Sequence, residues 1–361
     1  MTSPIRKALL LSAYEAESHR KWRNTIEAGL KDEIDFDSLT LPGRYFSWRI
    51  RGNPLSWGPA LNKLAGQRYE FILATSMVDI ATIKGLNKFL AHVPAYYYFH
   101  ENQFAYPPGS GDKSHVEPKM VQLYGAMASD KVFFNSYFNR DSFFDGVEKL
   151  LGKMPDHVPK GILKDLQRKS TVLPVPISLS NPASEKSKEN TVQIIWNHRW
   201  EFDKGPNRLM KVMEHFKSCG EEVVFHILGQ KFRNSPSAFE RIKTEFSNII
   251  GHFGYIQDRE EYKKILRQGD FVLSTAIHEF QGTSILEAVS AGCVPVVPDR
   301  LSYQEIFSPL YRYPSSINDQ DQEARSAADK IKELIATPIE VPKIYSYSWA
   351  HLKEEYLRQL S

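Results

Sequence analysis

Two glutamates eight residues apart flank a short polar run in His278-Glu279-Phe280-Gln281-Gly282-Thr283-Ser284-Ile285-Leu286-Glu287. Gln281-Gly282-Thr283-Ser284 is a sequence that opens a helix, and the unpaired N–H groups of a helix start, with the dipole behind them, bind a diphosphate. Carboxylates on either side would then grip two ends of one ligand, Glu279 on sugar hydroxyls and Glu287 on a ribose diol. The same spacing also fits a capped helix carrying two solvated glutamates. A second cluster, Asn197-His198-Arg199-Trp200-Glu201-Phe202-Asp203-Lys204-Gly205-Pro206, puts Arg199 and Lys204 on a loop after an apolar run. Fixed cations of this kind stabilise a departing diphosphate. Two cations on a solvated loop would read no differently.

Both clusters follow predicted strands. Short apolar, β-rich runs at 8–13, 71–75, 95–99 and 131–135 each lead through a polar loop into a helical pattern, as parallel βα units do. The pattern stops at Pro174-Val175-Pro176 and a stretch rich in Asn, Pro, Ser, Glu and Lys. It restarts with strands at 192–196, 223–228, 249–253, 271–274 and 294–297 and helices over 207–217, 259–268 and 283–291. The division expected is an N-terminal domain over 1–176, a linker over 177–190, a C-terminal domain over 191–345, and a final segment, 346–361, whose helix reaches back. Two such halves would face a cleft at the carboxyl ends of their sheets, where α/β folds bind ligands. His100, after the run 95–99, and Gly229 and Tyr255, after 223–228 and 249–253, stand at such ends.

Arg199, Lys204-Gly205, Glu279 and Glu287 resemble the pattern of the retaining GT-B glycosyltransferases, in which Arg and Lys-Gly follow the first strand of the C-terminal domain and Glu-x7-Glu opens a later helix. A narrower resemblance spans nearly the whole chain. Tyr98-Phe99-His100-Glu101-Asn102-Gln103 with Tyr106-Pro107, Phe133-Phe134-Asn135-Ser136, Trp196-Asn197-His198-Arg199-Trp200-Glu201, Ser274-Thr275-Ala276, Tyr303 with Glu305-Ile306-Phe307, and Ser348-Trp349-Ala350 are similar to the tRNA-queuosine α-mannosyltransferase family. The resemblance implies an α/β, GT-B fold: two Rossmann-like domains facing a central cleft, the C-terminal helix crossing back to the first. It implies mannosyl transfer from GDP-mannose, with retention, to the cyclopentene diol of queuosine at the wobble position of tRNA-Asp. His100, Arg199, Lys204 and Glu279 would be catalytic, and Gly229, Tyr255, Gln281, Gly282, Thr283, Ser284 and Glu287 would bind the donor. His19, Glu101, Asn102 and Asn135 would face the acceptor from the N-terminal, acceptor-binding domain. One departure stands out: the family has Gly-Gly before Ser18-His19, and this chain has Ala16-Glu17. Bulk and negative charge replace a pair that lets backbone approach a phosphate closely.

The acceptor side can also be read from residue types. Arg44, Trp48, Arg49 and Arg51 in the segment 42–52 interleave cations with aromatic faces, as suits unstacked anticodon-loop bases and their phosphates. A solvated loop with one packed Trp is the plainer alternative. Lys and Arg exceed Asp and Glu by 46 to 43 in 361 residues, so any polyanion site must be a local patch. Cys219 and Cys293 lack the spacing of a disulfide framework or zinc knuckle. The brief apolar run Ala8-Leu9-Leu10-Leu11 is too short for a signal peptide or membrane span, so a cytoplasmic protein without a membrane partner is expected.

Asp35-Phe36-Asp37 and Asp319-Gln320-Asp321 both match the DxD pattern of metal-dependent glycosyltransferases, but the first lies in an acidic stretch and the second in a polar loop. His115, His157 and His252 have no ligand spacing. No metal or other cofactor is expected, since fixed cations and a helix start would neutralise the diphosphate. The expected partners are a nucleotide-sugar donor and a tRNA acceptor. A GT-B enzyme with another donor and a non-RNA acceptor, and an idle RNA-binding module, are the alternatives.

Overall fold

The computed structural model describes residues 5–106, 116–180, 191–231 and 235–361. Pro107, His115 and most of the expected linker, 181–190, lie outside them. The chain forms two compact units. One runs to Pro176 and takes in Trp349–Ser361, and the other is Ile177–Ser348.

The N-terminal unit is built on β1 (Arg6–Glu15), β2 (Ile34–Pro42), β3 (Phe71–Thr75), β4 (Ala95–Phe99), β5 (Lys131–Phe134) and β6 (Ser170–Val172), in the order β2-β1-β3-β4-β5-β6. All pairings are parallel. The apolar runs of β1, β3, β4 and β5 are continuous because helices cover both faces. Leu9, Ile72, Tyr97 and Phe134 point into one core, and Leu10, Leu73, Tyr98 and Phe133 into the other.

The second of these cores is closed by the C-terminal helix Trp349–Gln359, which lays Leu352, Tyr356 and the following Leu360 against Trp22 and Ile26. Trp22 Nε1 donates to the Tyr356 hydroxyl at 3.1 Å, and that hydroxyl donates to the Pro174 carbonyl at 2.8 Å.

The C-terminal unit repeats the plan with β7 (Val192–Asn197), β8 (Val223–Leu228), β9 (Ile250–Gly254), β10 (Phe271–Leu273), β11 (Val294–Pro298) and β12 (Arg312–Tyr313). Its order is β12-β11-β10-β7-β8-β9, all parallel. Strand order reverses between β7 and β10, so the loops after these two strands diverge at a topological switch point, the place where such sheets bind ligands. Ile177, expected to begin the linker, is 5% exposed in this unit's core and forms a bridge to Ser348. Ser180 N donates to Ser290 Oγ, so the stretch after Pro176 starts as packed chain.

Candidate active site

The loops after β7 and β10 are fastened along their backbones. The Asp203 carbonyl accepts from the N–H groups of Ile277 (2.7 Å) and His278 (3.1 Å), and Thr275 Oγ1 donates to the Lys204 carbonyl at 2.9 Å. Gly205 has φ +67°, and a Cβ there would lie 2.1 Å from the Thr275 carbonyl oxygen, so only glycine fits the close approach. The loop after β8 joins in the same way: Gly229, at φ +144°, brings its Cα so near the His198 carbonyl that a Cβ would sit 1.9 Å from it. Tyr255, just past β9, is half exposed.

This fastening buries Lys204. Its ammonium lies 3.1 Å from Asp203 Oδ2 and 3.2 Å from Glu279 Oε2, and donates to the His278 carbonyl at 2.9 Å. Lys204, expected as a loop cation facing a diphosphate, is buried beside two carboxylates. Lys204 ends the 3₁₀ turn Phe202–Lys204, in which Asp203 and Lys204 are buried and Phe202 is exposed, and its ammonium is shared by two carboxylates and so fixes the position of Glu279. Arg199 does lie near the surface, 3.0 Å from Glu201. Beyond Glu279, Gln281 is buried, and Gly282 caps the helix Thr283–Ser290 without a side-chain cap bond. Glu287 on that helix accepts from the Tyr262 hydroxyl at 3.3 Å; Asn197 Nδ2 donates to the same hydroxyl at 3.1 Å and to the Ser284 carbonyl at 2.7 Å.

In the N-terminal unit, His100 follows β4 and His19 sits in the first turn of the helix Glu17–Gly29 that follows β1. Their rings are 4.2 Å apart, with Trp22 4.7 Å and Tyr98 4.8 Å from His100. His19 Nδ1 lies 2.6 Å from the Tyr14 carbonyl, an acceptor only, so that nitrogen carries the proton. His100 Nε2 is buried with no hydrogen-bond partner among the described residues.

Asn102 and Asn135 do not present their amides to an acceptor. Asn102 donates to Asn139 and Ser142 and accepts from the N–H groups of Phe104 and Ala105, while Asn135 donates to the His100 carbonyl. Both build the loop that carries His100. Glu101 is partly buried, its carbonyl accepting from Ser76 Oγ.

Trp48, Arg49 and Arg51 lie on the helix Phe46–Lys63, so the alternative of a solvated loop does not hold for them. Arg51 is paired with Asp79 (2.6 Å) and Glu117 (3.1 Å), so two carboxylates compete with any phosphate for its guanidinium. Arg49 Nε donates to the Pro42 carbonyl at 3.3 Å, Arg44 lies over the Tyr45 ring, and Trp48 is half exposed. The DxD pairs have ordinary duties. Asp37, on β2, accepts from the Tyr69 hydroxyl, and Asp319 caps the helix Gln320–Ala336. Among the described residues no group of three or more His, Cys, Asp or Glu side chains is placed to hold a metal, and no helix is long and apolar enough to cross a membrane.

Residues 7–177 match the family model described as tRNA-queuosine alpha-mannosyltransferase N-terminal, and 179–348 match glycosyl transferases group 1. A Drosophila melanogaster tRNA-queuosine alpha-mannosyltransferase is 31% identical over 309 residues, 83% of this chain and 81% of that one. The chain belongs to the tRNA-queuosine alpha-mannosyltransferase family. It is a glycosyltransferase. Solved structures show the same GT-B fold at low identity. Sucrose-phosphate synthase from Thermosynechococcus elongatus superposes with a TM-score of 0.72 at 14% identity, covering 98% of this chain and 99% of its own. Anabaena HepE in complex with UDP gives 0.68 at 13%, covering 99% of each chain.

The electrostatics of this glycosyltransferase follow from burial. Burial alone would push the Glu279 carboxyl up, but Lys204, with His198 and Arg199, more than offsets it and holds it down at about 2. Burial would likewise depress the Lys204 ammonium, yet Glu279 and Asp203 raise it, so the pair is ionised at neutral pH. Burial and then Lys204 lower His198 and His278 to about 4, and burial and then His19 lower His100 well below the ordinary histidine range. All three imidazoles are neutral at pH 7. Asp203, Asn197 and Tyr262 escaped the sequence reading. Asp203 and Asn197 sit inside the quoted motif, but only the fold shows that their side chains turn inward, and Tyr262 is 25 residues from its partner Glu287.

Proposed function

We propose that the chain transfers mannose from GDP-mannose, with retention, to the cyclopentene diol of queuosine at the wobble position of tRNA-Asp, without a metal. The observation that carries the reading is the ion pair of buried Lys204 with partly buried Glu279 at the switch point of the C-terminal sheet, leading into the start of the helix Thr283–Ser290, which no side chain caps.

In this reading Glu279, ionised and immobile, accepts from sugar hydroxyls. The N–H groups at Thr283 and Ser284 meet the diphosphate with Arg199. Glu287, aimed by Tyr262 and Asn197, accepts from ribose hydroxyls, and Gly229 and Tyr255 flank the base. The bond from the anomeric carbon to the diphosphate oxygen breaks while an acceptor hydroxyl oxygen bonds that carbon from the same face. The hydroxyl proton passes to the departing phosphate oxygen. His100, neutral and with no partner for Nε2 among the described residues, can offer a hydroxyl a hydrogen bond, and the exposed Arg44 and Trp48 with the partly buried Arg49 suit the phosphates and bases of an RNA loop.

Mass spectrometry of tRNA nucleosides after incubation with GDP-mannose, UDP-galactose or UDP-glucose tests this reading. A hexose gained on queuosine from GDP-mannose alone, undiminished by EDTA, is the expected result. A gain only from a UDP-sugar would reassign the donor, and loss with EDTA would reassign the chemistry at the diphosphate.

A further inference from the structure

Behind the two fastened loops lies a second charged cluster that none of the roles above uses. Glu323, on the helix Gln320–Ala336, is 1% exposed. Its Oε1 accepts from Arg208 Nε (3.1 Å) and Arg300 Nη2 (2.7 Å), and its Oε2 from Arg300 Nη1 (2.8 Å) and the Ser316 N–H (2.9 Å). Arg300, just past β11, also grips the Ala276 carbonyl with Nε (3.1 Å) and Nη2 (2.7 Å). Ala276 lies three residues before Glu279. Arg208 lies four residues after Lys204, on the helix that Gly205 caps, and donates its other arm to the Ile317 carbonyl. One carboxylate thus ties the chain that carries Glu279 to the chain that carries Lys204.

Stability alone does not account for such a cluster, since well-packed apolar side chains commonly serve as well as buried ion pairs or better. Planar guanidinium forks do fix direction and distance, which apolar contacts do not. We propose that Arg300 and Glu323 are positioning residues for glycosyl transfer, setting the separation of Lys204 and Glu279 from behind. The proposal rests on the reading that this pair serves the donor.

A double-mutant cycle separates positioning from bulk structure. Arg300→Lys keeps the charge and loses the fork. Measured at a temperature where melting curves show it folded, it should lower kcat about 10- to 100-fold while the KM for the nucleotide-sugar changes less than about threefold, the pattern of an interaction felt in the transition state. In a Lys204→Ala background the same change should cost less than about twofold, because the pair it positions is already broken.

Equal losses in both backgrounds, or a wild-type kcat in Arg300→Lys, would overturn the positioning role while leaving the site intact. A wild-type kcat in Lys204→Ala would instead remove Lys204 from the donor site and the proposal with it. If Arg300→Lys does not fold, Glu323→Gln enters the same cycle under the same criteria.

Discussion

Lys204 shows how burial changes what the loss of a lysine costs. As a loop cation it would be removable with little effect on folding. Held between Asp203 and Glu279, its loss leaves one buried and one partly buried carboxylate without this counter-charge. Lys204→Ala is therefore expected to cost about 3–5 kcal/mol of stability as well as roughly 10²–10³ in turnover. Arg199→Ala, at a half-exposed side chain, should lower turnover while changing stability by less than ~0.5 kcal/mol. Urea midpoints beside single-turnover rates check the pair, and an unchanged midpoint in Lys204→Ala would contradict the buried cluster.

The histidines add a pH dependence. His198, His278 and His226, each at about 4, and His100, lower than the ordinary range, are neutral in the fold and protonate more readily in the unfolded chain. Their contribution is complete above about pH 6.5 and is lost as pH falls from there toward 4. Glu279, at about 2, adds a loss of the same sign below about pH 4.5. Thermal midpoints at constant ionic strength should drop between pH 7 and 5, before most carboxylates titrate; a flat profile there would contradict these assignments. Glu279 with Glu287, and Arg199 with Lys204, stood out in the sequence as candidates because each pair lies within one short segment. The partners of Arg51 were not, because Asp79 and Glu117 reach it from 28 and 66 residues away.

Among elements, the strands that escaped the sequence reading share a place. β2, β6 and β12 all lie on sheet edges, and the two buried residues among them, Ile34 and Tyr313, give no continuous apolar run of the kind that marks β1, β4 or β7. The helix Phe46–Lys63 was hidden for another reason: Pro54 and Pro59 and two glycines stand inside it, a composition that reads as loop. Asn53 resolves the conflict. Pro54 has no N–H to give the Ile50 carbonyl, and Asn53 Nδ2 supplies the bond at 3.1 Å while also donating to Arg49 and Met77. Its Oδ1 accepts from the Asp79 N–H at 3.2 Å. Asn53→Ala should thus cost about 2–3 kcal/mol, since it orphans several buried groups at once. Hydrogen exchange localised to the helix Phe46–Lys63 and to the start of Ile80–Leu86 would register it; protection equal to wild type would mean that the proline gap is closed by other means.

At the scale of the molecule, the charge excess of three is too small to draw in RNA, so affinity must come from local contacts. Alanine at Arg44 or Arg49 is expected to flatten the log–log salt dependence of tRNA binding by roughly 0.7–0.9 per lost phosphate contact, whereas Arg51→Ala should leave the slope in place. Filter binding across a salt series distinguishes them; equal flattening in all three would place Arg51 back among the phosphate contacts. The two α/β series and the returning helix were readable as patterns, but the bonds that seat that helix, Trp22 to Tyr356 to Pro174, join residues up to 334 positions apart and have no local trace.

That seating has a consequence in time. The C-terminal unit is one uninterrupted stretch, Ile177–Ser348, and can mature as it leaves the ribosome. The unit translated first has to wait, with Trp22, Ile26 and Tyr98 uncovered on one face of its sheet, until the helix Trp349–Gln359 has been decoded. A nonsense codon just before Trp349 would leave the second unit whole and the first, though fully translated up to Pro176, without the helix that covers it.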